Sequence, residues 1–482
     1  MRSRCTAGRG WFRLAALTAL GALGLAAAMP NLFQFADSTG TMATYDTAGA
    51  IQTTNPFFQS LGTNGRSCAT CHVPQNALGL SNANALARFT VSRGTDPLFV
   101  DVDGANCPGA AASDRAAHSL IVGNGLLRVA LPIPQNADYT VQTVYDPYGC
   151  AEMTDAAGQR MLSVYRRPLP AANLRFLSAV MFDGRETVAP LDNPSTFEAN
   201  LVTDLTHQAL DATLGHAQAA HPPTDQQLAG IIDFELSLYS AQSTDDAAGS
   251  LQAQRAAGGP VALSGQLYYP GINDSLGADP GGGPFTNKSF TIFEGWTDLS
   301  NSRQNSSTLP REQIAAGEAI FNSAPLTITG VAGLNDAQRH TSIAATCSAC
   351  HDAPNAGSHS LPLPLDIGVS HSSTFESDPV IASALQQLSV PDLPVFKVTC
   401  TGAQPARVVF TSDPGRALIT GRCADVNRFK GPVLRGLAAR APYFHNGAAA
   451  TLGEVVDFYN ERFDMRLTDE QKEQLVAFLQ SL

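Results

Sequence analysis

Two short runs carry the chemistry of this chain: Cys68-Ala69-Thr70-Cys71-His72 and Cys347-Ser348-Ala349-Cys350-His351. Two thiols three positions apart, followed directly by a histidine, have the spacing for covalent attachment of a c-type haem. The sulfurs become thioethers to the haem vinyl groups, and the adjoining imidazole is the proximal ligand of the iron. A thioredoxin-like redox pair or half of a zinc site uses the same cysteines. Chance alone would produce one such run in a chain of this composition only about a few times in a thousand. Two runs therefore predict two covalently bound haems c.

What a haem does depends on its sixth position, so the remaining histidines and methionines matter. Beyond the two proximal residues the histidines are His118, His207, His216, His221, His340, His359, His371 and His445. The methionines after residue 28 are Met29, Met42, Met153, Met161, Met181 and Met465. Most are expected to be ordinary surface or core residues, since histidine is more often that than a ligand.

The elements that must position these groups are mostly helical. Thr224 to Ser240 reads as a helix, with Leu228, Ile231, Ile232, Glu235 and Leu236 on or beside one face. A second helical pattern opens at Arg311 and runs to Phe321. Near the C-terminus, Thr451 and Glu454 form a capping-box pair ahead of Leu452, Val455, Val456 and Tyr459. Thr468 and Gln471 repeat the device ahead of Leu475, Val476, Leu479 and Leu482. Strand signals are few and short, so a mainly α, loop-rich chain is expected.

Length and composition bound the rest. A chain of 482 residues can bury more than one core. Arg2, Arg4, Arg9 and Arg13, an apolar run from Leu14 to Leu25, and Ala26 to Ala28 read as a secretory signal peptide over residues 1–28. Its removal takes the formal charge from -12 to -16, which argues against nucleic acid as a partner. No later stretch is apolar enough to span a membrane. Cys107, Cys150, Cys400 and Cys423 remain as an even set in an oxidising compartment. Three pairings are open to four cysteines; Cys107–Cys150 and Cys400–Cys423 are preferred because each lies within one domain. The haem motifs lie 279 positions apart, too far to share one small cytochrome fold. The polar stretch from Ala241 to about Leu309 holds the expected boundary, giving domains at 29–308 and 309–482.

Several further segments resemble the bacterial dihaem cytochrome c peroxidases and their MauG-like branch. Arg166-Arg167-Pro168 leading to Met181-Phe182-Asp183-Gly184-Arg185 resembles the N-terminal signature of that family. Lys430-Gly431-Pro432-Val433-Leu434-Arg435 and Ala441-Pro442-Tyr443-Phe444-His445-Asn446-Gly447 resemble its C-terminal signature. The resemblance implies two cytochrome-c-like α-helical domains facing each other, with peroxide bound at the N-terminal haem and electrons relayed by the C-terminal one. It also implies a periplasmic oxidoreductase using hydrogen peroxide and a small donor protein, a cytochrome c or a cupredoxin.

The resemblance assigns roles residue by residue. The second haem of the peroxidases takes a Met ligand fourteen residues after the His of the Tyr-Phe-His segment; here that position is Tyr459, as in MauG-like members, with Met465 and His359 as replacements. A phenolate is a hard donor that favours oxidised iron. The distal Gln corresponds to Gln208, but ten residues on, where the family has its catalytic Glu, stands Gln218. Gln cannot act as a base, and His216 is the nearest proton acceptor. The blocking loop histidine is missing, because no His occurs between Val73 and His118; an open first haem follows. A ligand such as His118 or His216 would instead close it and leave an electron-transfer protein. Phe182 replaces the Trp between the haems, and no Asn stands at the family's calcium position, so calcium is not assigned. The long segment from His72 to Arg185 is expected to be ordered and to shape the substrate entrance.

Overall fold

The computed structural model describes residues 31–299, 305–402 and 407–482; the leader expected over 1–28 lies outside the described residues. No helix among the described residues is long and apolar enough to cross a membrane.

The helices form where their caps and faces direct them. In Asp225–Ser237 the Thr224 hydroxyl accepts the Gln227 N–H while the Gln227 side chain accepts the Thr224 N–H, and Leu228, Ile231, Ile232 and Leu236 are buried. Asp469–Gln480 opens with the same reciprocal pair, Thr468 and Gln471. Its face of Leu475, Phe478 and Leu479 packs on Thr308–Ser323. Gly317 permits that approach, since a Cβ there would stand 2.0 Å from the Gln474 carbonyl oxygen. In Leu452–Arg462 only half of the expected box forms: Thr451 accepts the Glu454 N–H, and Glu454 turns instead to the N–H groups of Ala450 and Ser389.

Strands are more numerous than expected: among the described residues twelve form four sheets, and 31% of those residues are helical and 17% are strand. The helix beginning at Asp225 stops at Ser237 rather than Ser240, because Leu238–Asp245 is claimed by pairing with Gly40–Asp46. Ser240 and Thr44 share a buried hydroxyl contact of 2.7 Å across that pair. The polar stretch after Ala241 is also more structured than its composition suggests. Phe290, Ile292, Phe293 and Trp296 are buried in one core with Ile314, Phe321 and Phe478.

The segment between His72 and Arg185 is ordered. Leu127–Pro132, Arg160–Arg166 and Glu152–Thr154 form one antiparallel sheet. Tyr139–Tyr145 instead pairs with Val395–Cys400, so a strand from the first half of the chain completes a sheet of the second. Disulfides tie both regions in the pairing the sequence favours, Cys107–Cys150 and Cys400–Cys423, with Cα separations of 5.9 and 5.7 Å.

Arg166 ends its strand in the interior, where its guanidinium is held by two carboxylates. Nε and Nη2 donate to Asp413 at 2.6 and 3.0 Å, and Nη1 donates to Asp183. The guanidinium carbon lies 5.7 Å from the centre of the Phe429 ring. Burial opposes ionisation of Asp183, but Arg166 and Arg185 outweigh it and hold the carboxyl near a pKa of about 2. A folded pKa below the unfolded value means stability that is full above pH ~4 and is lost as pH falls towards 2, amounting to about 2 kcal/mol. Asp183→Asn should therefore lower unfolding free energy at neutral pH by about 3–5 kcal/mol and flatten the acid limb of stability against pH. Denaturant titrations at pH 7, 4 and 3 check this; an acid limb as steep in the variant as in the parent would remove Asp183 from the account.

Candidate haem sites

Both Cys-x-x-Cys-His runs fold as single 3-10 turns, Cys68–Thr70 and Cys347–Ala349, with the histidine directly after. In each, the histidine N–H returns to the first cysteine carbonyl, at 3.0 Å for His72 and 3.1 Å for His351. The turn aims both sulfurs and the imidazole into one cavity. The first cavity is about 1630 Å³ with its mouth included and is lined by Cys68, Cys71 and His72; the second, about 1780 Å³, is lined by Cys347, Cys350 and His351.

The donor chemistry fits c-type haem. His72 Nδ1 lies 3.2 Å from the Leu78 carbonyl and His351 Nδ1 lies 2.7 Å from that of Gly357. A carbonyl accepts only from N–H, so each Nδ1 carries the proton and each Nε2 keeps its lone pair for a metal. Burial pushes the Cys68, Cys347 and Cys350 thiols up to about 12 and Cys71 to about 11. Redox-active and zinc-binding cysteines need the opposite shift.

The cations around the cavities fit too. Burial pushes Lys430 down to about 8, Arg167 and Arg435 to about 9 and Arg440 to about 10, with the Arg440 charge adding to the effect on Lys430 and Arg167. Arg435 Nε and Nη1 and Arg440 Nε have no hydrogen-bond partner among the described residues. Buried cations without anions are costly. The two propionates of a haem are carboxylates of the kind this set lacks, so Arg435 at the first cavity and Arg440 at the second are the groups that would hold them.

The two cavities share a wall. Arg167, Pro168, Leu169, Phe182, Lys430 and Pro432 line both. Phe182 follows Met181, which takes a left-handed backbone at φ 67°. The Phe182 ring centre lies 5.9 Å from that of His445, which stacks at 3.8 Å on Phe429.

The expected site residues divide clearly. Gln208 and His216 line the first cavity with His72, whereas Gln218 is exposed, outside the cavity lining, and bonds Asn64 at 3.3 Å. The helix that carries Gln208 ends at Gly215, and Gln218, three positions beyond it, takes a left-handed backbone at φ 53°. His118 lies in neither cavity; its ring packs among Phe89 and Phe99, and its Nδ1 lies 2.8 Å from the Gly104 carbonyl. The second cavity collects Tyr459, Met465 and His359 around His351. The Tyr459 hydroxyl makes no hydrogen bond among the described residues, and burial holds its pKa above the usual phenol range.

Two residues escape the sequence reading. Asp103, from the segment after the first haem motif, is buried, accepts from His216 Nδ1 and is salt-bridged to Arg66. Burial opposes its ionisation, but His216 and Arg66 hold its carboxyl below the usual range. No local pattern marks it, because it meets His216 across 113 positions. Glu235 lines the first cavity, and burial alone raises its pKa to about 8. Its place on a helix face among leucines and isoleucines was the one signal available.

No family model matches the chain. It is 32% identical over 143 residues to a cytochrome-c peroxidase, IdrP2, of Denitromonas iodatirespirans, covering 28% of this chain and 35% of that protein. It is 39% identical over 69 residues to the cytochrome c551 peroxidase of Nitrosomonas europaea, covering 14% and 21%. The matched part thus spans about a third or less of these relatives. A solved MauG-like protein associated with microbial copper homeostasis aligns over 89% of this chain and 87% of its own at 13% identity, with a TM-score of 0.33. Over these stretches the chain is similar to bacterial cytochrome c peroxidases.

Proposed function

We propose that this protein is an exported, periplasmic peroxidase-like oxidoreductase with two covalently bound haems c, one in each half of the chain, that reduces hydrogen peroxide at the first cavity. The observation that carries this reading is His216. It reaches the cavity of His72 beside Gln208, with its Nδ1 fixed on Asp103. A haem held by Cys68, Cys71 and His72 would supply the redox chemistry for peroxide reduction.

The chain's own residues manage the protons. With Nδ1–H donating to Asp103, His216 Nε2 is free to accept a proton from one peroxide oxygen and return it to the other, the task the family gives to Glu. Asp103 holds the ring and its tautomer, and Arg66 keeps Asp103 ionised. Gln208 offers an amide to hydrogen-bond the bound substrate. The shared wall around Phe182 would lie between the two haems, and a small cytochrome c or cupredoxin would reduce the second.

A second reading, oxidation of a protein or organic substrate in the MauG manner, is favoured by Tyr459. Its unpartnered hydroxyl in the cavity of His351 suits a phenolate ligand. Peroxide reduction is preferred because the Asp103–His216 pair answers the loss of carboxylate at Gln218.

Electron paramagnetic resonance of the oxidised protein is expected to give one high-spin and one low-spin ferric signal, both lost on adding hydrogen peroxide. Two low-spin signals indifferent to peroxide would sink the enzyme reading and leave an electron carrier. His216→Gln should keep both haems, judged by absorbance and haem stain, yet lower peroxide reduction by about 10²-fold or more. Unchanged turnover in that variant would remove His216 from the proton path.

A further inference from the structure

Beside the second haem motif, three buried side chains converge with no lysine or arginine paired to them among the described residues. Asp274, Asp352 and His359 are 1%, 0% and 3% exposed, and their ligand-type atoms lie within 4.8 Å of one another. Each aspartate commits one oxygen to backbone. Asp274 Oδ2 accepts the N–H groups of Leu276 and Ala278 at 3.1 and 2.8 Å, and Asp352 Oδ1 accepts that of Ser360 at 2.6 Å. The other oxygens, Asp274 Oδ1 and Asp352 Oδ2, have no hydrogen-bond partner, and neither has His359 Nδ1 or the hydroxyl of the fully buried Ser360. His359 Nδ1 and Asp352 Oδ2 are 3.0 Å apart without the alignment of an N–H···O bond. No lysine or arginine pairs with either aspartate among the described salt bridges.

We infer that Asp274, Asp352 and His359 bind a divalent transition cation, zinc or manganese, as a structural third metal. Two carboxylate oxygens left unpaired in the interior are unfavourable, and a dication bound between them would pair both. A mixed set of two carboxylates and one imidazole is too nitrogen-rich for a calcium cage and too poor in sulfur for copper(I), and suits zinc or manganese. Bonds of about 2.1 Å to a common centre need only a small inward adjustment of these side chains. The backbone N–H groups on the outer oxygens fix the direction of the inner ones, as partners of metal ligands do.

The location gives the cation a purpose. Asp352 directly follows His351, and His359 lies two positions after Gly357, whose carbonyl orients the His351 ring. Asp274 belongs to a separate loop, tied to the haem-motif segment by Ser275 Oγ on the Ala349 carbonyl at 2.8 Å and Asn273 Nδ2 on the Asp352 carbonyl at 3.1 Å. A cation here clamps that loop onto the turn that presents the second haem ligand.

Elemental analysis of the purified holoprotein, after equilibration with zinc or manganese chloride and gel filtration, is expected to show one equivalent of that metal per chain beside the haem iron. Chelator should remove it and lower the thermal midpoint, and re-addition should restore it. Asp274→Asn should lose the equivalent while keeping the Soret absorbance of both haems. His207→Gln, which breaks the exposed trio of Glu186, His207 and Asp211, should retain it. No third metal in the parent protein would overturn the inference, a result that needs no variant to fold. So would a metal lost in His207→Gln but kept in Asp274→Asn.

Discussion

The buried guanidinium of Arg166 is the constraint around which the two halves of the chain are arranged. It is the last residue of a strand in the first half, and it takes one carboxylate from each half, Asp183 and Asp413. Neither acid could be buried without it, and it could not be buried without them both. The same bidentate fork fixes the angle at which Asp413 arrives, and hence the turn after Val408–Thr411 and the sheet that receives Tyr139–Tyr145. Asp183 in turn anchors the segment carrying Phe182, so the wall between the cavities is positioned by an ion triad a few ångströms behind it. This explains why Arg-Arg-Pro and Asp-Gly-Arg occur together: they are two ends of one contact.

A different balance governs the cavities. Lys430, Arg435 and Arg440 are buried cations with no salt bridge among the described residues, Arg435 feeling only the charge of Glu318, whereas Arg166 is held by two carboxylates. Their charges are held down by desolvation, so the chain alone stores unfavourable energy where its cofactors would sit. Filling each cavity with an apolar ring edged by carboxylates covers exposed core and supplies anions at once. Binding energy of that kind is folding energy. With a haem in each cavity, its attachment and the final packing of that half would be one event in physical terms.

Much of this was legible from sequence wherever the signal is local. Cys-x-x-Cys-His needs one turn, and the turn forms. The capping boxes at Thr224 and Thr468 need three residues, and both helices start as expected. What failed was everything decided by distant partners. Leu238 to Ser240 continue a helical pattern, but strand Gly40–Asp46, nearly two hundred positions away, claims them. Gln218, singled out only by its alignment with the family's Glu, lies three positions past the helix that ends at Gly215 and is exposed. Asp103 had no chance of detection, because nothing near it in sequence predicts a histidine 113 positions away.

Substituting Phe182 where the family has Trp is consistent with the wall it occupies. An indole buried here would need an acceptor for its N–H. The neighbouring groups are already committed: the Phe182 carbonyl accepts the Lys430 N–H at 2.7 Å, and His445 Nε2 lies 3.0 Å from Ser370 Oγ. Burial pushes the His445 imidazole down to about 4, so it stands neutral between Phe182 and Phe429. A phenyl ring asks nothing of these partners and closes the wall by contact alone. The wall is thus closed at Phe182 by a side chain that brings no polar group of its own into the space between the two cavities.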